Sequence, residues 1–196
     1  MLALMGCTGF QVQGDIQAGR EALMMGRPWW ALNRFQRAAQ LDPHYVTDFT
    51  VFEQGVWTYI GRAHYQLGEL EQARKALERA LEEHNEDHLA HIYLGLVLMR
   101  QGESERGVRE AAVGLRSLQA WLRDLDRYDS AGQYWDPGSV LENEIEYLLA
   151  IIGGRDVRWL HVALRLERLG IEFEEEIDRA WEDELNDQDS GDDSQT

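Results

Sequence analysis

Three histidines within eight residues, His84, His88 and His91, stand beside Glu86 and Asp87. Imidazole is the commonest metal ligand, and on one helix spacings of four and three would bring all three rings to one face. The surrounding residues argue against that use. His84 and Asn85 read as a turn, Asp87 as the cap of the next helix and His88 as its start, so the rings do not converge. Glu86 and Asp87 are also misplaced for a His-Glu-x-x-His site. Nucleophilic chemistry finds no scaffold either. There is no Gly-x-Ser-x-Gly and no P-loop, and the single cysteine, Cys7, lies near the start of the chain. One cysteine excludes an intrachain disulfide and a Cys-based zinc site. Asp187, Asp189, Asp192 and Asp193 are oxygen donors, but without EF-hand spacing or a closing glutamate. No catalytic residue, metal or cofactor is expected. A metal protein or enzyme built on the His84–His91 segment stands as an alternative.

Carboxylates dominate the charge. Asp and Glu number 36 against 19 Lys and Arg, for a net charge of −17. From Glu172 onward twelve acids face one base, Arg179, which leaves only −6 on the first 171 residues. Lys75 is the single lysine, and Glu71 is well placed four residues before it for a helical ion pair. A chain without clustered Lys and Arg is a poor binder of nucleic acid and of anionic lipid.

Elements must carry these residues, and they read as helices. Hydrophobic residues make up 44% of the chain, enough for a core. Prolines number three, long runs are rich in Ala, Leu, Glu and Arg, and no stretch alternates apolar and polar residues as a strand does. No apolar run reaches the roughly 18–20 residues that span a bilayer.

A period of 34 organises the middle. Gly61 and Gly95 are 34 apart, as are Gly68 and Gly102. The pattern Trp57-x2-Ile60-Gly61-x2-His64 recurs as His91-x2-Leu94-Gly95-x2-Leu98. Gly68, Ala73, Leu77 and Ala80-Leu81 correspond to Gly102, Gly107, Ala111 and Gly114-Leu115, and an earlier copy runs Ala18-Gly19, Gly26, Ala31-x3-Phe35, Ala38, Pro43. These residues resemble the tetratricopeptide repeat, a helix–turn–helix unit. The resemblance implies an all-α array with copies at 12–45, 54–87 and 88–121, and an insertion near 46–53. Gly19, Gly61 and Gly95 are expected where the two helices of a repeat approach closely. Gly26, Gly68 and Gly102 are expected to end first helices, with Pro28 opening the next.

In such arrays the first helices line a concave groove that holds a partner protein segment. Carried onto this register, the resemblance places Arg20, Arg62, Tyr65, Gln66, Ile92, Leu96, Met99 and Arg100 there; the alternative for Ile92 and Leu96 is packing under the C-terminal helices. Arginine and tyrosine are typical interface anchors, and methionine is an adaptable one. The Lys and Asn of the carboxylate clamp known in some members are not seen.

Residues 1–11 are expected to hold the remnant of a lipoprotein signal and a linker. Leu4-Met5-Gly6-Cys7 resembles a bacterial lipobox, whose cysteine is acylated and becomes the first residue after cleavage. Thr8 in place of Asp favours, by that resemblance, the outer membrane. The expected function is a non-catalytic scaffold for envelope, pilus or secretion assembly, lipid-anchored on the periplasmic face. A cytoplasmic adaptor without lipid is the alternative.

The C-terminal third is helical without repeating the pattern. One helix is expected from about Glu105 to Tyr128, a break at 129–138, and a helix from Val140 to Ile152 capped by Ser139. Helices at about 156–169 and 171–185 follow, broken at Gly170, with Trp159, Leu160, Ala163, Leu164, Leu166 and Leu169 as the apolar side. Residues 122–185 are read as a helical cap and 186–196 as a disordered acidic tail.

Overall fold

The computed structural model describes residues 5–47, 51–128 and 134–192, with the side chains of 5–8, 126–128 and 187–192 outside that description. Its elements are α1 (Met5–Met24), α2 (Pro28–Leu41), α3 (Val56–Leu67), α4 (Leu70–Glu83), α5 (His88–Arg100), α6 (Ser104–Tyr128), α7 (Val140–Ile152) and α8 (Trp159–Asp192). The fold is all-α, and the β structure among the described residues is an isolated bridge, Val46 to Gly55. The chain divides into two units. One is Met1–Asp48 with Glu53–Gly114, the other Phe49–Phe52 with Leu115–Thr196.

The first unit is a series of helical hairpins. Each first helix ends on a glycine with positive φ: Gly26 at 66°, Gly68 at 77° and Gly102 at 89°. The closing bonds repeat at each. Gly68 N–H donates to Tyr65 O and Glu69 N–H to His64 O, as Gly102 and Glu103 do to Met99 and Leu98. This is the Schellman arrangement, and glycine enters its left-handed backbone without a Cβ clash. Pro28 opens α2, where its missing N–H costs nothing. Within a hairpin the helices meet where the side chain is smallest. A Cβ on Gly61 would lie 2.5 Å from Leu77 Cγ, and one on Gly19 would enter the Phe35 ring.

The insertion between the first two hairpins is pinched at its base. Thr47 N–H donates to Gln54 O at 3.0 Å, Val56 N–H to Tyr45 O at 2.9 Å, and Gln54 N–H to Thr47 Oγ1 at 3.0 Å.

In the second unit Phe52 is 2% exposed, with its ring centre 5.0 Å from Trp121 and 4.6 Å from Phe173. Trp121 meets Trp135 edge to face at 4.9 Å. Such aromatic contacts add to area burial. This cluster draws residues 115–121, expected to close the third repeat, and the Phe49–Phe52 part of the insertion into one unit with the C-terminal helices.

Four local expectations change here. Ser139 precedes α7 but makes no side-chain cap bond. Asp136 caps instead, accepting from Leu141 N–H at 3.0 Å and Glu142 N–H at 2.9 Å. Each of its two carboxylate oxygens takes one orphan amide of the first turn. The expected break at Gly170 is absent, because α8 runs through it and buries it. A mid-helix glycine costs only about 1 kcal/mol, and the stripe Val162, Leu166, Leu169, Phe173, Ile177 and Ala180, all buried, is continuous across it. Leu160 and Leu164, assigned to the apolar side, are 74% and 57% exposed, since that stripe leaves them on the opposite face. α8 also continues to Asp192, so residues 186–192 are helical rather than part of a disordered tail. Residues 129–133, in the expected break, and 193–196 lie outside the described residues.

Candidate partner-binding site

The second and third hairpins are joined by one buried carboxylate. Asp87 ends the turn after α4 and caps α5, accepting from Ala90 N–H at 2.9 Å. Its other oxygen reaches the start of α3, accepting from Thr58 Oγ1 at 2.7 Å and Gly55 N–H at 3.2 Å. Burial pushes its carboxyl above the ordinary value; those three bonds and the charge of Arg62 pull it back.

Arg62 is part of this core rather than of an open groove. It is 3% exposed, with its guanidinium 4.9 Å from the Tyr93 ring centre and 5.8 Å from Tyr59. Ring faces and a buried carboxylate satisfy a weakly hydrated planar cation. Arg20 is likewise buried, its Nη1 donating to Gln17 at 3.0 Å, and Tyr65 packs edge to face on Tyr93. Ile92 and Leu96 are fully buried and Met99 nearly so. These six expected groove residues are therefore core. The physical reason is plain for α5: ten of its thirteen residues are buried, and a helix apolar all round belongs inside. Gln66 and Arg100 remain exposed, with Arg100 stacked 4.8 Å from Tyr65 and donating to its carbonyl at 3.2 Å.

The histidine segment is a turn with two differently placed rings. His84 is the exposed C-cap of α4 and His88 opens α5. Both His91 nitrogens face acceptors, Glu110 Oε1 at 2.6 Å and Asn85 O at 3.0 Å. Among the described residues no group of three His, Cys, Asp or Glu could hold a metal ion.

The two rings titrate in opposite senses. Burial, then the His91 charge, lowers His88 from 6.5 to about 4. Burial also works against a charged His91, but the Glu110 and Asn85 bonds, with the charges of Glu110 and Asp87, raise it. As pH falls below 6.5 the unfolded chain takes up the His88 proton first, so stability is lost down to about 4, by on the order of 3 kcal/mol at most. The His91 contribution is present below its unfolded value and fades as pH rises through its raised one. Urea midpoints measured across pH should show His88→Gln flattening the acid loss. His91→Gln should cost stability at pH 6 and little at pH 9. An unchanged acid slope in His88→Gln would refute the assignment.

A further feature escaped the sequence reading. Three helix faces enclose a cleft of about 690 Å³ in the first unit. α3 gives its floor through Trp57, Ile60 and His64; α2 and α4 give the walls. Trp57 is fixed by donating to Pro43 O at 2.8 Å, and Arg79 lies 3.6 Å over its ring. A volume of this size suits a ligand side chain or a short peptide segment. The available signal was α2, which holds no acid in a strongly acidic chain.

Comparison with characterised proteins and with solved structures returns no match for this chain. A family model does match, that of the tetratricopeptide repeat, over residues 60–121. The match takes in most of α3, all of α4 and α5, and α6 through Trp121. Repeats of this family are typically non-catalytic and generally bind proteins or peptides. Residues 60–121 thus carry the tetratricopeptide repeat, and the α1–α2 hairpin ends its first helix on the same positive-φ glycine.

Proposed function

We propose that this protein is a non-catalytic scaffold that holds a segment of a partner protein, tethered at the outer membrane through acylated Cys7 and facing the periplasm. Its place is in assembly of an envelope machine, pilus or secretion pore, without nucleic acid as a ligand. The observation that carries the scaffold reading is the glycine-closed hairpin array, matched over 60–121 to a protein-binding repeat. The anchor rests on Leu4-Met5-Gly6-Cys7 and on that cysteine being the single one. Stable anchoring takes more than one acyl chain, as lipoprotein modification supplies.

A cytoplasmic adaptor without lipid is the second reading. One observation favours it: the α1 backbone is already helical at Cys7, whose side chain lies outside the description. Fractionation of cells expressing the full chain, with mass spectrometry of Cys7, separates the two. The expected result is membrane-bound protein of acylated mass, released to the soluble fraction by Cys7→Ser. Unmodified Cys7 in soluble protein would leave the adaptor.

A further inference from the structure

The cleft between α2 and α4 differs in charge from the rest of the molecule. No Asp or Glu lines it, in a chain with a net charge of −17. Its cations are Lys75 and Arg79; His64 also lines it, with its Nδ1 2.6 Å from Glu69 Oε2. The expected Glu71–Lys75 pair does not form, because Glu71 accepts instead from Gln101 Nε2 at 2.8 Å. Glu78, the other acid within helical reach of Lys75, is held by Arg74 at 2.8 Å. The Lys75 ammonium is thus exposed at the cleft and carries no ion pair among the described residues. Arg79 uses its Nε for Glu83 at 3.0 Å while its plane stacks on Trp57.

The walls add a second kind of donor. Gln36 and Gln40 on α2 face the cleft, as does Gln72 on α4. All three are exposed, and their amides bond to no protein group among the described residues. A carboxamide offers both a donor and an acceptor, which suits the N–H and C=O groups of an extended chain. A helical ligand has already paired those groups. Trp57, Ile60, Ala39 and Ala76 supply an apolar floor for its alternate side chains.

We infer that this cleft is a peptide-binding site for an extended, acidic segment of a partner protein, set between the second helices of repeats one and two rather than in the concave groove. Carboxylates of the segment pair with Lys75 and Arg79, its backbone bonds to the glutamines, and its apolar side chains rest on Trp57 and Ile60. The inference rests on the scaffold reading and names the chemistry of the captured segment.

Fluorescence anisotropy with the full chain tests it. The probes are labelled peptides of about ten residues, one alternating Glu and Thr, the other Lys and Thr. The acidic probe should bind and the basic one should not, with affinity falling as salt is raised. Lys75→Glu should weaken the acidic probe at least tenfold. Gln36→Ala with Gln72→Ala should weaken it severalfold, and Arg100→Glu should leave it unchanged. All are exposed positions, so helix content by circular dichroism should match wild type. Absent binding, no preference for acid, or full affinity in Lys75→Glu would overturn the inference. A partner crosslinked to the full chain in membranes, and lost with Arg100→Glu but not with Lys75→Glu, would sink the cleft and leave the scaffold reading standing.

Discussion

Replacing Asp87 with alanine should lower the unfolding free energy by about 3–5 kcal/mol. Three donors lose their acceptor together: Ala90 N–H, Gly55 N–H and the Thr58 hydroxyl. The site is 5% exposed, so water does not readily replace the carboxylate. Arg62 then keeps its positive charge in the core and loses the attraction of the Asp87 carboxylate. Asp87→Asn should recover only part of the loss, because one of its two terminal groups is an NH2 that meets donors. Coupling is the sharper measurement. Arg62→Leu in the Asp87→Ala background should cost less than Arg62→Leu alone, since the attraction between the two charges is already lost there. Urea denaturation of the four proteins gives both numbers. A loss below about 1 kcal/mol for Asp87→Ala would refute the role assigned to this carboxylate.

Asp87 also shows how far sequence carries. Its capping role was legible, because an Asp before an apolar run is a strong helix-start signal. Its second task, holding the start of α3, was not. Gly55 and Thr58 lie about thirty residues earlier, and no local pattern announces a bond across a repeat. The hairpins were legible for a similar reason: glycine spacing reports on contacts inside one unit, where sequence distance is short. The groove was not. A register carried over from the family gives the face of a helix, but it does not say whether that face is open. Arg62 and Arg20 read as displayed cations because arginine is seldom buried, and for Arg62 ring faces and a carboxylate make burial tolerable. The second unit assembles through Phe52, Trp121, Trp135 and Phe173, and the first of these belongs to an insertion that the repeat pattern could only skip.

Gly95→Ala should destabilise the protein by about 2–3 kcal/mol, against the gain that alanine normally brings to a helix interior. The reason is what stands opposite. A Cβ on Gly95 would lie 2.5 Å from the carbonyl oxygen of Gly107 and 2.8 Å from Ala111 N. The reverse holds on α6, where a Cβ on Gly107 would lie 2.5 Å from Gly95 O, and further along one on Gly114 would lie 2.5 Å from His88 O. α5 and α6 therefore meet backbone to backbone at three glycines, and no rotamer change relieves such a contact. The helices must move apart, which loosens the packing of the buried residues along both. Gly61→Ala meets chiefly the Leu77 side chain rather than backbone, so its loss should be smaller. Gly14→Ala in α1 meets nothing within 4 Å and should stabilise by about 0.5–1 kcal/mol through helix propensity alone. Thermal melts of the three variants should rank Gly14→Ala above wild type, then Gly61→Ala, then Gly95→Ala. If Gly95→Ala melted with wild type, the crossing of α5 and α6 would have room for a methyl group, and the backbone contact inferred between them would be wrong.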